Sequence, residues 1–448
     1  MKKIIVALGV VFLMACAQDT GDTVPNETDV SRFLGELDWV KSFGGSGEDT
    51  AQAIVPTNDG GYAVLGFTNS TDGDLSHKTI AVNDYWLIKL DAEGNEQWNR
   101  TYGGSKDDRG QSLVQTTDGG YVLTGYSKSD DGDASVNKGF HDNWVVKLDA
   151  SGTIEWEKSY GFSGHDHSYD ILQTADNGYF FVGFLDITSA RADGYTEKGG
   201  SLTRHGVGEF WSTKVDATGA LQWRSYYGGS ANDRAHAVVA ADDGGFVMTG
   251  FTESEDFDIK NSRGSYDFWA VKVNNSGELV WQNSFGGTGI ERAQDIAKTA
   301  DGGYVIIGNT FSNDTDVSKN NGESDIWLVK LDVNGNMLWE KSFGGSQFDA
   351  AHSVISSTDG GFIIAGNSKS VDNDVTENAG ENDIWLLKTD ANANIIWQQT
   401  FGGAGLDFGF DVIETDEEAI ILVGETASTN FQNIQNKGKS DVVVIKVK

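Results

Sequence analysis

Apolar residues along this chain come in short bursts separated by polar turns, and the same order of bursts keeps returning. Residues 109–116 (RGQSLVQT), 121–126 (YVLTGY), 143–148 (NWVVKL) and 154–160 (IEWEKSY) each have the length and the β-branched or aromatic content of a strand. Between the first two lies Thr117-Asp118-Gly119-Gly120, whose Asp-Gly step supplies the positive φ that a tight hairpin needs. A long polar loop, 127–141, separates the second strand from the third, and Asp149-Ala150-Ser151-Gly152 turns the chain into the fourth. The pattern predicts a four-stranded unit with strands A to D in chain order.

The unit is written seven times. Its anchoring tryptophans are Trp39, Trp98, Trp156, Trp223, Trp281, Trp339 and Trp397, and all but two of the steps between them are 58 residues. A fixed period of this size marks a solenoid or a propeller. The third residue of each copy, counted from the acid before strand A, is always small (Ala51, Gly110, Ser168, Ala235, Ala293, Ala351, Gly409), and strand B always holds a glycine, as at Gly66 and Gly125. Slim inner strands and bulky outer ones suit sheets packed radially around an axis. The array opens on a lone strand D, 37–43, and stops at a strand C, 441–448. The first can complete the last blade. The expected fold is all-β: a seven-bladed β-propeller of four-stranded antiparallel blades, closed by the N-terminal strand. An open solenoid would need polar caps, and none is visible.

The stretch GGSGEDTAQAIVPTNDGGYAVLGFTNS (44–70) resembles the seven-bladed beta-propeller (SBBP) repeat of secreted bacterial proteins. The turn at 332–339, DVNGNMLW, is similar to the tryptophan-docking motif of quinoprotein propellers. Together the resemblances cover about 37–448. They imply the fold and leave the activity open, because propellers host many unrelated functions.

Acidic residues number 67 against 33 basic, a net charge of −34. So acidic a body repels nucleic acid and anionic head groups and favours cationic partners or divalent ions. Lys2 and Lys3 precede an apolar run, 4–14, that is too short to span a bilayer and reads as a secretory signal. Leu13-Met14-Ala15-Cys16 resembles the bacterial lipobox, which implies cleavage before Cys16 and acylation of this sole cysteine. The expected organisation is a signal peptide, 1–15, a lipidated cysteine with a flexible tether, 16–36, and the propeller, 37–448. That places a monomeric lipoprotein in the bacterial cell envelope, on the outer membrane, with the acidic start Gln18-Asp19 pointing to surface export.

The A–B and C–D turns are short, whereas the D–A connections and B–C loops are longer and share the opposite face, where binding is expected. The B–C loops carry the pairs Asp72/Asp74, Asp131/Asp133, Asp256/Asp258, Asp314/Asp316 and Asp372/Asp374. Calcium takes six to eight oxygens, and such loops offer several, although no copy has the bidentate glutamate of an EF-hand. Turn capping and direct ligand contact are the other readings. An acid preceding each strand A (Asp49, Asp108, Asp166, Asp233, Glu291, Asp349, Asp407) predicts a carboxylate ring at the channel mouth. The acids before the strand-C tryptophans, such as Asp84 and Asp142, are expected as blade-to-blade posts, as in WD-repeat propellers.

No HExxH or GxSxG motif is present, and the strongest metal-like spacing is His165-Asp166-His167. The third repeat is the odd one. It is nine residues longer than the norm, its Gly-Gly has become Gly161-Phe162, and its enlarged loop carries Arg191, Tyr195, Lys198, Arg204 and His205, the candidate ligand-binding group. The expectation is a non-catalytic protein-interaction scaffold or binding module. The alternatives are a glycan binder using Phe140, Tyr195, Phe257, Tyr266, Phe311 and Phe431, or a propeller enzyme with an unrecognised site. Calcium is the only cofactor suggested.

Overall fold

The computed structural model describes residues 33–195, 206 and 208–448. Within them, seven four-stranded sheets each run A-B-C-D, every pairing antiparallel. The first blade is Asp49–Pro56, Tyr62–Thr68, Asp84–Leu90 and Glu96–Tyr102. In the last, Asp407–Glu414, Ile420–Thr426 and Asp441–Val447 are joined by Leu37–Phe43 from the other end of the chain. That ladder runs from Phe43 opposite Val442 to Leu37 opposite Val447. Beyond it, Glu36 and Lys448 exchange both backbone hydrogen bonds at 2.9 Å. The ring is therefore closed, as the repeat count required.

Radial crowding explains the small residues. A Cβ added to Gly110 on strand A would lie 2.7 Å from the Gly66 carbonyl of the preceding blade. Further out there is room for tryptophan, and Trp86, Trp144, Trp211, Trp269, Trp327 and Trp385 on strand C are almost wholly buried between blades. The strand-D tryptophans dock outward. Trp98 covers Gly152 and Trp39 covers Gly94, each glycine holding the positive φ of the next blade's C–D turn. In the last blade this turn is where the two chain ends meet, and Gly35 (φ +72°) takes the turn glycine's place against Trp397. Phe33 packs edge-on to Trp397 with centroids 5.3 Å apart. Packing against the propeller thus extends back to Phe33, four residues before the expected start at 37.

On the short-turn face, the strand-C lysines Lys89, Lys147, Lys214, Lys272, Lys330 and Lys388 run back along the sheet to an A–B turn aspartate, as in Lys89–Asp59 at 2.8 Å. Every strand A also carries a bulge after its third residue, at Gln52 in the first blade. The extra residue breaks the two-residue alternation and decides which side chains reach the axis. No helix among the described residues is long and apolar enough to cross a membrane. Cys16, Lys198, Arg204 and His205 lie outside the described residues.

Candidate binding site at the propeller axis

The acids that open strand A do not ring the channel mouth. Asp49 is fully buried and accepts from the Gly45 amide at 2.7 Å, from Ser70 Oγ at 2.8 Å and from Thr68 Oγ1. Burial is the largest influence and raises its pKa, and these donors offset part of the rise. The same arrangement recurs at Asp108, Asp233, Asp349 and Asp407. Each acid stitches the D–A turn to the end of strand B, so the expected ring is corrected to a set of internal caps.

The B–C pairs work on the same turn from outside. Asp72 accepts from Ser46 N at 2.7 Å and Asp74 from Gly44 N at 2.9 Å. Asp131 and Asp133, Asp256 and Asp258, Asp314 and Asp316, and Asp372 and Asp374 repeat both bonds on their own turns. Each carboxylate thus has an amide to cap. No pair converges with a third acid among the described residues in the way a calcium cage requires.

The strand-C acids are not blade-to-blade posts. Asp142, Asp325, Asp383 and Asp441 accept from the amide four residues earlier in their own loop, at 2.6 to 2.9 Å. Their other oxygens are buried without a hydrogen-bond partner, and desolvation pushes all four up to about 6.

The inter-blade posts stand one residue past the bulge, where sequence reasoning did not look. Asp170 accepts from Val238 N of the next blade and Ser112 Oγ of the preceding one, both at 2.8 Å. Asp411 does the same with Ile54 N and Ser353 Oγ, closing the last blade onto the first. Asp295 accepts from Val354 N at 2.8 Å, but the preceding blade offers Ala237 and no hydroxyl. Burial pushes Asp170 and Asp411 up to about 6 and Asp295, which faces both of them, to about 8. These acids line an axial cavity of about 300 Å³ with Gln52, Gln111, Tyr169, His236, Gln294, His352 and Phe410. A visible signal was missed: this position reads Ala53, Ser112, Asp170, Ala237, Asp295, Ser353, Asp411, small or acidic throughout.

Toward the loop face the second strand-A residue leans on strand B of the preceding blade. Arg109 lies over Phe67, Arg234 over Phe184 and Arg292 over Phe251, at 5.1, 4.4 and 5.5 Å. His167 stacks on Tyr126 at 3.9 Å in the same relation. Around the remaining arc the position is Ala350, Phe408 and Thr50. One part of the mouth is therefore cationic on a strongly acidic protein. The other is apolar, a pocket of about 430 Å³ whose lining includes Arg292, Phe311, Phe348, Phe408, Phe410 and Glu425.

The third blade explains its own irregularity. Its loop forms a short helix, Ile187–Ala192, capped by Asp186, in place of an Asp-x-Asp turn. Without that pair, Phe162 can replace the second glycine, and it packs with Tyr195, Trp211 and Tyr226 in a small core of its own. Tyr195 is thus buried rather than presented to a ligand, and Arg191 reaches the Tyr226 hydroxyl at 3.3 Å. Of the candidate glycan-stacking rings, Phe431 is also buried, whereas Phe140, Phe257 and Phe311 are exposed.

Fold and site together define a closed seven-bladed propeller with a two-sided mouth at its axis. No family model matches the chain. A regulatory protein named FlaEY from Caulobacter vibrioides is 23% identical over 452 residues, covering 93% of this chain and 42% of its own. The chain thus spans about two fifths of that relative's length. Among solved structures, the WD40 domain of Pan2 from Neurospora crassa is 10% identical with a TM-score of 0.49, covering 89% of each chain. YCF48, solved bound to a D1 peptide, is 11% identical with a TM-score of 0.46, covering 93% of this chain and 97% of its own. Both likenesses concern the fold alone.

Proposed function

We propose that this protein is a lipid-anchored, extracytoplasmic binding module, without catalytic activity, that grips a protein partner at the axial mouth. The observation that carries the reading is the split lining of that mouth. Arg109, Arg234 and Arg292 are held in place on aromatic rings, beside an apolar pocket walled by Phe311, Phe348 and Phe408. A partner segment with an acidic residue next to an aromatic or aliphatic one matches both halves. Preorganised arginines and aromatics are the side chains that dominate interface energetics. The likeness to a protein named as regulatory agrees with binding rather than turnover. Cys16 supplies the anchor, and removal of 1–15 leaves 31 basic against 67 acidic residues, which disfavours nucleic acid and anionic lipid as the ligand.

A photo-crosslinking amino acid at Phe311, compared with one at Asn58 on the opposite face, tests this in intact envelopes. A discrete protein adduct from position 311, absent at 58 and lost with Arg292→Glu, is expected. Adducts from position 58 alone, or binding confined to a glycan array, would overturn it.

A further inference from the structure

We propose that His141, His165 and His167 form a site for a divalent transition-metal ion of the zinc class, bridging the second and third blades at the loop face. The HxH spacing gave half of this. Residues 165 and 167 flank the start of strand A, and the two-residue period sends both imidazoles to one side and Asp166 to the other. Asp166 is buried, accepting from Phe162 N at 2.6 Å and Asp186 N at 3.1 Å, so it is no ligand. The third imidazole comes from the preceding blade. His141 ends its B–C loop and pairs in parallel with His165. One ring nitrogen from each histidine falls within 4.8 Å of the other two. Tetrahedral zinc with bonds of about 2.0–2.1 Å sets its nitrogens roughly 3.3 Å apart, a spacing these rings reach by small rotations.

An ordinary hydrogen bond explains only part of the cluster. His141 Nδ1 and His165 Nδ1 stand 3.1 Å apart and share one proton. His167 directs Nδ1 to the Tyr169 hydroxyl at 3.3 Å, which leaves Nε2 buried with no hydrogen-bond partner. A metal satisfies that lone pair.

The rings are also held in place. Tyr126 stacks on His167, Phe140 stacks on His165 at 4.8 Å, and Asp107 lies 3.8 Å from His141 Nε2, the position of a carboxylate that orients a ligating imidazole. Arg109 and Arg234 stand nearby and weaken cation binding, while Asp107 offsets part of their charge. Three neutral nitrogens suit zinc, cobalt, nickel or copper and reject calcium and magnesium, which need oxygen. His165 is exposed, so a fourth position stays open to water or a partner's side chain. The site stands independently of the partner reading.

The test uses the full chain, freed of any affinity tag and stripped with a chelator, titrated with cobalt(II). The expected result is one equivalent bound, with the visible bands of four-coordinate cobalt, displaced by zinc and not by calcium. His165→Ala and His141→Ala should each weaken binding by roughly tenfold or more, and Asp107→Asn by about tenfold. His77→Ala should change nothing. Zinc should also shield the exposed His165 imidazole of the unaltered protein from acylation, read by mass spectrometry, which keeps the test valid if a variant fails to fold. Absence of stoichiometric binding, binding unchanged in both alanine variants, or no shielding would overturn the site.

Discussion

Single residues set the character of the axial layer. Asp170 and Asp411 each receive a serine hydroxyl from the preceding blade, but Asp295 meets Ala237 instead. Its folded pKa of about 8 lies above the ordinary 3.8, so the folded protein holds this proton over a window in which the unfolded chain has released it. The contribution to stability is complete below about pH 4 and is lost as pH rises toward 8. Ala237→Ser would supply the missing donor. Relative to the parent, the variant should gain on the order of 1–2 kcal/mol in urea unfolding at about pH 8.5 and little at about pH 5. An equal effect at both pH values would refute the assignment. The layer was partly legible, since the row from Ala53 to Asp411 is plain once aligned. Its orientation was not, because the bulge at Gln52 shifts the alternation by one residue. The histidine cluster was hidden for another reason. His141 stands 24 residues before His165 and in a different blade, and no spacing rule joins them.

At the level of elements, the repeat made strands, turns and closure legible because every copy must bury the same faces. Strand ends shifted by a residue: strand A of the second blade starts at Asp108, where the acid caps the turn. The side chain of an aspartate in a loop gives no such guide, since capping an amide and holding an ion need the same oxygens. Closure by Leu37–Phe43 carries its own expectation. Removing 37–43 should leave the strand Asp441–Val447 with an unpaired edge, its lone cover gone. Loss of the single cooperative melting transition, with self-association on size exclusion, is the expected outcome. A shortened protein that melts as a monomer at the parent's temperature would contradict it.

For the whole molecule, the proposed anchor and the ring make separate predictions. Cys16→Ala should release the protein from membranes or leave an uncleaved precursor, because no other thiol is present to carry a lipid. Membrane fractionation unchanged by the substitution would rule the anchor out. The seam has a further consequence, and it concerns time. Six blades pair strands that follow one another in the chain, but the seventh must bring Leu37 to Val447. Contacts between such distant partners form slowly, since chain entropy is lost before they are made. The first strand of the array to be synthesised is thus the last to find its place. Until the C-terminal strand has been made and has folded, it waits without its partner, an edge that a chaperone or another copy of the chain is able to fill.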